Sequence, residues 1–551
     1  MLDLFDKKRP VLVIDDCALY RTAARGMLLK IGFMPEQIEL AADAQSAMKM
    51  RLKDFQLVLC DYNLGKKTDG YQLLEQLKRQ RLLSLDCIIV VVTGDASTET
   101  VRSFVDLDTD GYLVKPVSFN SLQSRLNKIF FHKRRLSKAY NLFQQSDYNA
   151  CISLANEVVE ESRLVEPYAQ LLSAKALIKA GESRQAENLL KSLLSGNVKV
   201  DAAFELARLL IIEKKFSDCQ ELLSQFEADP VNCAKGFQLS ALYHLAQNHY
   251  SAALEKIKVA IEMSPKNIER KLVQVRIYLA AFETGRALAC IEQLAELIKH
   301  SYWDNGEFIV QHIQVLLDHG EQSHQIVREQ SLTLVNEFLT KVKDRPMVDL
   351  PEGFELLAQA RASLIIEAPE QGKQLLAQYL AVVKERKTPL SIWERFELAK
   401  VQFSLENQEA FNAELSRLKT EIDAIDSFAE KITLKSYLDV WVKKVIGAPA
   451  TSASLRASGM NLLKQGEITS ALNALLNAYE LDSKDKSTAV MMITCLARSW
   501  PTGWHKNDVI ALVQKCCETL KSSTVIRSPA LVKHLSNLAQ QLDMPQLTSA
   551  H

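Results

Sequence analysis

Five polar residues among the first 116 positions each stand at or just past the end of a short apolar run. The runs read VLVI, LVLC, CIIVVV and YLV, and helix-like stretches separate them. Short β-branched runs of this kind predict a buried parallel sheet, in which ligands collect at the carboxyl ends of the strands. We therefore expect five side chains to meet in one crevice: Asp15, Asp16, Asp61, Thr93 and Lys115.

Three carboxylates held close together repel one another, and a hard divalent cation among them relieves that repulsion. This predicts a Mg²⁺ site at Asp15, Asp16 and Asp61. The Lys115 ammonium adds a fixed positive charge at the same rim, and the Thr93 hydroxyl adds a hydrogen-bond donor. The crevice can then hold a phosphoryl group beside the metal, which indicates phosphoryl transfer to a carboxylate.

The same side chains stand in four motifs, VLVIDD, LVLCDYNLG, VVVTGD and GYLVKP. On these motifs, residues 9–130 resemble the receiver domain of two-component response regulators. The resemblance implies an α/β, doubly wound, flavodoxin-like fold around a five-stranded parallel sheet. A receiver that keeps the fold but has lost phosphorylation is the alternative, and the presence of every key side chain argues against it.

The resemblance assigns roles around the acceptor. Asp61 would be the phosphorylated aspartate, and Asp16 the principal carboxylate ligand of Mg²⁺, with Asp15 beside it. Asn63, two residues past Asp61, would offer its backbone carbonyl to the metal. Lys115 would pair with a phosphoryl oxygen.

The resemblance also implies a switch. Thr93 would move to hydrogen-bond the phosphoryl group, and Tyr112 matches the aromatic position that swings inward when the threonine moves. Gly94 would keep the phosphoryl site open. The bond between Lys115 and Pro116 is expected to be cis, an isomer that is costly for any residue but proline.

The loop after the acceptor departs from the family pattern. Gly65 stands where the family usually has proline, and residues 66–68 precede Asp69-Gly70. The loop is therefore one residue longer than usual. This leaves the acid chemistry untouched and bears on the shape of the rim and on the lifetime of the phosphoaspartate.

Length and composition set limits on the rest of the chain. At 551 residues the chain is too long for one core and should contain three or more folding units. Lys plus Arg equals Asp plus Glu at 67 each, so no global charge draws the chain to nucleic acid or to an anionic membrane. Ten cysteines without paired spacing fit a reducing cytoplasm, and no apolar run is long enough for membrane insertion.

A second signal is an internal repeat after residue 130. Short turns are each followed by a small residue, at steps of 33 to 35 residues, which resembles the tetratricopeptide repeat over residues 137–300. The best copy reads LSALYHLAQNHYSAALEKIKVAIEMSPKN, and an irregular helical bundle is the alternative. Small side chains let the second helix of a unit press against the first. The predicted packing positions are Cys151, Ala186, Cys219, Ala253 and Ala287, with Ala471 in a later copy.

The predicted organisation is thus a receiver followed by an all-α helical-repeat solenoid. The period blurs after residue 300, and a segment rich in small residues and helix breakers suggests a linker before the pattern resumes. The predicted parts are 1–130 (receiver), 131–300 (tetratricopeptide-like repeats), 301–445 (degenerate helical repeats), 446–456 (linker or wide turn) and 457–551 (repeat and helical cap).

Together these patterns predict a response regulator that receives its phosphoryl group from a histidine kinase or phosphotransfer protein. The repeat groove would bind an unidentified protein partner. We expect no enzyme, since residues 130–551 show no acid, base or nucleophile set, and no DNA binding, since no basic recognition helix is evident. The alternative is a static scaffold that competes for a kinase or drains its phosphoryl groups. Homodimerisation through the receiver, which is common in the family, stays open.

Overall fold

The structure, a computed structural model, describes residues 5–65, 68–95, 97–195, 198–299, 301–343, 345, 349–446, 452–500, 504, 506–521 and 528–544. Contacts within the chain define two compact units, Met1–Gln274 and Val275–His551. Lys66 and Lys67 of the predicted loop, and residues 447–451 of the predicted linker at 446–456, lie outside the described residues.

A five-stranded parallel sheet forms the N-terminal part of the first unit. The strands are β1 (Val11–Ile14), β2 (Ile38–Ala41), β3 (Leu57–Asp61), β4 (Ile88–Thr93) and β5 (Gly111–Val114). Their spatial order is β2-β1-β3-β4-β5, and every neighbouring pair is parallel. The winding reverses between β1 and β3, so a crevice opens at the carboxyl ends of these two strands.

Helices cover both faces of this sheet. They are α1 (Ala18–Ile31), α2 (Ala44–Met48), α3 (Gly70–Arg79), α4 (Thr98–Asp106) and α5 (Phe119–Arg135). Successive strand residues point to opposite faces. Val11 and Leu57 accordingly pack with α1 and α5, whereas Leu12 and Val58 pack with α2, α3 and α4. The central strands β1, β3 and β4 are buried at every residue, which is why they read as continuous apolar runs, whereas the edge strands β2 and β5 are partly exposed.

The first unit continues as helices alone. The last helix of the sheet layer, α5, runs five residues past the predicted boundary at residue 130 and ends at Arg135. Consecutive helices after it pack on one another. Their bounds are α6 (Ser137–Gln144), α7 (Tyr148–Glu161), α8 (Glu166–Ala180), α9 (Ser183–Ser192), α10 (Lys199–Ile212), α11 (Phe216–Ala228), α12 (Cys233–Ala246), α13 (Tyr250–Met263) and α14 (Ile268–Ala280), within which the unit ends.

The turns between paired helices share one backbone feature. A residue with positive φ, in the left-handed region, follows α6, α8, α10, α12 and α14. This conformation lets the turn satisfy the last carbonyls of the preceding helix, and glycine or asparagine adopts it at least cost. The residues recur every 33 to 35 positions and are Ser146, Gly181, Lys214, Asn248 and Phe282.

The second unit is helical throughout its described residues. Its α23 begins at Ser452, so residues 452–456 of the predicted linker are helix. In the part of the chain that the structure describes, none of the helices is both long and apolar enough to cross a bilayer. The bounds are α15 (Thr284–Ile298), α16 (Gly306–Gln322), α17 (Gln325–Lys343), α18 (Phe354–Ile365), α19 (Pro369–Glu385), α20 (Ile392–Ser404), α21 (Gln408–Ala424), α22 (Phe428–Ile446), α23 (Ser452–Lys464), α24 (Ile468–Leu481), α25 (Lys486–Leu496), α26 (Lys506–Leu520) and α27 (Pro529–Leu542).

A buried polar network joins four helices of this unit, α16, α18, α20 and α22. The Lys400 ammonium donates to Asp318 Oδ1 at 2.6 Å and to the Tyr437 hydroxyl at 2.5 Å. The Arg361 guanidinium donates to both carboxylate oxygens of Glu397 at 2.7 Å and also pairs with Asp318. All five side chains are at most 3% exposed, and each charge faces an opposite charge. Buried ions are tolerated when they are paired and hydrogen-bonded, so this network can hold the four helices together in the interior.

Candidate functional site

The ends of β1 and β3 bring the three predicted carboxylates together. Asp15 directly follows β1, and its N–H donates to the Ala41 carbonyl of β2 at 3.1 Å, which extends the ladder by one residue. Asp61 is the last residue of β3. One carboxylate oxygen from each of Asp15, Asp16 and Asp61 lies within 4.8 Å of the other two. Asp15 and Asp61 are buried, and Asp16 is exposed, so the cluster is open on one side.

Lys115 connects two of these acids from the end of β5. Its Nζ donates to Asp15 Oδ2 and to Asp61 Oδ2, both at 2.8 Å, and lies 4.4 Å from the centre of the Tyr20 ring in α1. The bond between Lys115 and Pro116 is cis. The pocket therefore holds three carboxylates against one ammonium and keeps a local excess of negative charge.

Burial and charge act in opposite directions on the pKa of Asp61. Desolvation raises it, while the Lys115 ammonium and the Asn63 N–H, which lies 3.4 Å from Asp61 Oδ1, lower it by a smaller amount. The net pKa of Asp61 is above its ordinary value. Desolvation lowers the pKa of Lys115, but hydrogen bonds to Asp15 and Asp61 outweigh this effect and raise it. Lys115 is thus held as a cation beside the acids.

Thr93 ends β4 and faces the following loop. Its side chain is buried, and its hydroxyl donates to the Asp95 carbonyl at 3.2 Å and accepts from the Asp95 N–H at 3.0 Å. Asp95 in turn accepts hydrogen bonds from Ser97 and Thr100 in the first turn of α4. A Cβ added at Gly94 would meet no atom within 4 Å, so the space beside this residue is open. The threonine is therefore bonded into the start of α4.

Three aromatic rings form a row from Asp61 to β5. The ring of Tyr62, next to Asp61, meets Phe104 of α4 edge-on with centroids 5.3 Å apart. Phe104 stacks with Tyr112 of β5 at 5.9 Å. Tyr112 is 39% exposed, so the structure places it in the outward position.

Two glycines shape the loop after Asp61. Gly65 has a φ of +88°, and a Cβ there would lie 3.9 Å from Asp16 Oδ2, so this loop lies against the acid cluster. Gly70 donates its N–H to the Tyr62 carbonyl at 2.8 Å. A Cβ on Gly70 would lie 1.8 Å from the Asp61 carbonyl oxygen, which no other residue could tolerate. In the sequence, Gly70 stands out only as part of an Asp-Gly pair.

The predicted packing residues lie apart from this pocket, in the helical region. Each lies in the second helix of a pair, α7, α9, α11, α13, α15 or α24, and each is 0% exposed. They are Cys151, Ala186, Cys219, Ala253, Ala287 and Ala471.

Nothing in the sequence pointed to a set of contacts between the N-terminal sheet domain and the segment from α12 to α14. The Arg270 guanidinium of α14 holds both carboxylate oxygens of Asp106 at the end of α4, one at 2.6 Å. Lys266 Nζ lies 3.0 Å from Asp69 Oδ2 and 4.7 Å from the centre of the Tyr62 ring. These partners are 164 and 197 positions apart, and nothing in the local pattern of either segment points to the other.

A second missed contact supports the carboxylates themselves. Arg21 of α1 donates through Nη1 to the carbonyls of Asp15 at 2.6 Å and of Asp16 at 3.0 Å. Its place one turn after the acidic pair was the available signal. Arg21 fixes the backbone from which both acids project.

Comparison with known proteins identifies this part of the chain. Residues 11–127 match the family described as response regulator receiver domain. The chemotaxis protein CheY-3 of Vibrio cholerae is 27% identical over 128 residues, which cover 23% of this chain and 95% of that protein. The transcriptional regulatory protein ZraR of Salmonella typhimurium is 31% identical over 128 residues, which cover 23% of this chain and 27% of that protein. A solved structure of CheY4 from Vibrio cholerae has 24% identity and a TM-score of 0.20, and covers 22% of this chain and 98% of that chain. The N-terminal domain is therefore a receiver domain, and these likenesses do not extend into the helical region.

Proposed function

We propose that this receiver makes the chain a response regulator, in which Asp61 accepts a phosphoryl group and the helical region passes the signal to a protein partner. The observation that carries the proposal is the pocket itself, where the Lys115 ammonium bridges Asp15 and Asp61 at 2.8 Å and Asp16 stands alongside. A histidine kinase or phosphotransfer protein would be the donor.

In the proposed transfer, a carboxylate oxygen of Asp61 attacks the phosphorus of the donor's phosphohistidine. A P–O bond forms, the P–N bond breaks, and its electron pair returns to the imidazole nitrogen, which takes up a proton from solvent. Lys115 then exchanges its bond to Asp61 for one to a phosphoryl oxygen. Because Asp61 is 6% exposed, the acyl phosphate would form in a pocket with little water around it.

The donor set fits Mg²⁺, since carboxylate oxygens are the ligands that this ion prefers. Asp15, Asp16 and Asp61 would hold it, with the backbone carbonyl of Asn63 as a further ligand. When bound, Mg²⁺ neutralises negative charge on the transferring group. Lys115 alone leaves the pocket with an excess of two negative charges, which a divalent cation balances.

We further propose that the helical region is a tetratricopeptide-like solenoid that binds protein rather than DNA and has no enzymatic activity. Two features support this. A residue with positive φ lies in the turn between the two helices of successive pairs, every 33 to 35 residues, and a fully buried small residue follows each such turn in the second helix. Arrays of this kind present extended surfaces to protein partners.

The test is phosphorylation of the full chain by acetyl phosphate with Mg²⁺, followed by intact mass. We expect one phosphoryl group on the wild type and none on Asp61→Asn. Asp54→Asn is the matched control, because it removes an exposed carboxylate elsewhere on the receiver and should leave the modification unchanged. An unmodified wild type, or an Asp61→Asn chain that is still modified, contradicts the proposal.

A further inference from the structure

Three cations of the helical region hold three carboxylates of the receiver. Lys266 pairs with Asp69, the residue that caps α3. The other two pairs join the end of α4 and the turn after it to α14 and α12, and they are Arg270 with Asp106 and Lys235 with Asp108. The receiver thus covers a surface of the helical region, here called the cationic face and defined as Lys235, Lys266 and Arg270, with its own acidic residues.

The centre of the cationic face is built to hold a carboxylate. Arg270 is 0% exposed, and its guanidinium donates to both oxygens of Asp106 while its Nε donates to Gln238 at 3.0 Å. Ser264, which is 1% exposed, donates to Asp106 Oδ2 at 2.6 Å. Asn267 caps the first turn of α14 by accepting from the Arg270 N–H at 3.1 Å. A planar guanidinium with bidentate geometry is the preferred partner of a carboxylate.

The two lysines of the cationic face, Lys235 and Lys266, each pair with a further acid of the receiver. Lys235 pairs with Asp108, and the ammonium groups of Lys235 and Lys78 hold the pKa of that carboxyl below its ordinary range. Lys266 meets Asp69, and its ammonium also lies over the ring of Tyr62. The acids at the end of α4 stand two residues apart in the sequence FVDLDTD, so the face accepts an acidic stretch rather than an isolated charge.

We propose that the cationic face is a binding surface for an acidic segment of a protein partner, and that the receiver's Asp69, Asp106 and Asp108 occupy it as a built-in competitor. A buried arginine without a carboxylate partner is costly. A protein partner whose carboxylates replace these three would keep Arg270 paired and so avoid that cost. The three cations would also speed its approach in a salt-dependent way.

The proposed function supplies the signal that frees this face, and the inference rests on it only for that step. Thr93 is bonded to Asp95, and Asp95 accepts hydrogen bonds from the first turn of α4, so a movement of Thr93 toward a phosphoryl group would pull on α4. Asp106 is the last residue of the same helix. A shift of α4 therefore reaches the pair with Arg270 directly.

The probe for the test is a fluorescein-labelled synthetic peptide of residues 100–110 of this chain, TVRSFVDLDTD, measured by anisotropy on the full chain. Its counterpart carries Asn at positions 106 and 108. The opened chain carries Asp106→Asn and Asp108→Asn, and the matched control carries Glu39→Gln and Asp54→Asn, two exposed acids elsewhere on the receiver. Should the opened chain fold poorly, Asp108→Asn alone replaces it, because the Asp108 side chain is 68% exposed.

We expect the opened chain to bind the acidic peptide about tenfold more tightly than wild type or control, in line with the loss of the two competing charge pairs at Arg270 and Lys235. Adding Lys266→Gln and Arg270→Gln to the opened chain should abolish the gain. Equal binding by opened and wild-type chains, equal binding of the Asn peptide, or tighter binding of a single-stranded oligonucleotide than of the peptide each overturns the cationic face as a site for acidic protein. Wild type with Mg²⁺ and beryllofluoride separates the two proposals. If the opened chain binds the peptide more tightly but wild type with beryllofluoride does not, the cationic face remains a binding site and phosphorylation is not the signal that frees it.

Discussion

Arg270 and Asp106 form a bidentate ion pair in which both side chains are 1% exposed, and this pair joins the last turn of the receiver's α4 to the first turn of α14. The pocket of Asp15, Asp61 and Lys115 lies toward the other end of this helix, since Thr93 and Asp95 tie the start of α4 to the end of β4. One helix therefore touches both the site of the proposed chemistry and the proposed output.

Removing one partner of this ion pair should lower local stability more than replacing both partners with apolar residues. Asp106→Asn leaves a buried guanidinium without its carboxylate, and we expect a loss of about 3 kcal/mol in local stability. The double variant Asp106→Leu with Arg270→Leu should lose less, because no charge stays buried alone. The readout is hydrogen exchange of α4 and α14, since a global melt mixes several folding units. Equal losses in the single and double variants would contradict the reading of the pair as buried and coupled.

Gly70 should tolerate no side chain. Gly70→Ala places a Cβ 1.8 Å from the Asp61 carbonyl, so the loop after β3 must shift, and we expect at least a tenfold loss in the rate of phosphorylation. Gly26→Ala is the control, because a Cβ at this position in α1 meets nothing within 4 Å and alanine favours helix by up to about 1 kcal/mol. Phosphorylation of Gly70→Ala at the wild-type rate would show that the acceptor loop does not depend on this contact.

Lys115 should affect metal binding and phosphoryl transfer in opposite directions. Lys115→Met removes a cation that lies 2.8 Å from two of the proposed ligands, so Mg²⁺ affinity should stay equal or rise. The same change removes the partner of the phosphoryl oxygen and should slow modification by acetyl phosphate about tenfold or more. Lys53→Met, at an exposed position, is the control. A joint fall of both quantities would indicate a general collapse of the pocket.

His312 should make the second unit sensitive to mild acid. Burial lowers the pKa of this histidine from 6.5 to about 4, and Phe308 and Phe338 pack beside its ring. The folded state thus binds a proton on His312 more weakly than the unfolded state does. The contribution of His312 to the free energy of unfolding is therefore fully present above pH 6.5 and is lost as pH falls toward 4.

Between pH 7.5 and 5.5 this effect of His312 should lower the free energy of unfolding by roughly 1 kcal/mol. Hydrogen exchange of α16 at the two pH values measures it. His312→Leu should remove that part of the pH dependence, and a variant that keeps the full dependence would assign it to other groups.

Four strands and the acidic cluster of the receiver could be predicted from the sequence because each is marked by a short local segment. The four apolar runs of three to six residues correspond to β1, β3, β4 and β5, and each acid at a strand end had only one place to go once the strands were parallel. Gly65 is expected from the sequence to bear on the shape of the rim, and a Cβ at this position would lie 3.9 Å from Asp16 Oδ2. The outward position of Tyr112 goes with its stacking on Phe104, which no local pattern contains.

The contacts beyond the receiver could not be predicted in this way. Arg270 and Asp106 stand on an amphipathic helix and at a helix end, where charges usually face water. Their burial results from how two distant segments pack. The buried polar network around Asp318 has the same origin, since its members come from four helices and none has a sequence neighbour that marks it.

The most direct test of the account is hydrogen exchange along the full chain with Mg²⁺, with and without beryllofluoride, on wild type and on Asp61→Ala. The account predicts faster exchange in α4 and in residues 264–274 when beryllofluoride is added, and no such change in Asp61→Ala. Exchange that changes only around the acceptor pocket, with α4 and residues 264–274 unaltered, would contradict a phosphorylation signal that reaches Arg270.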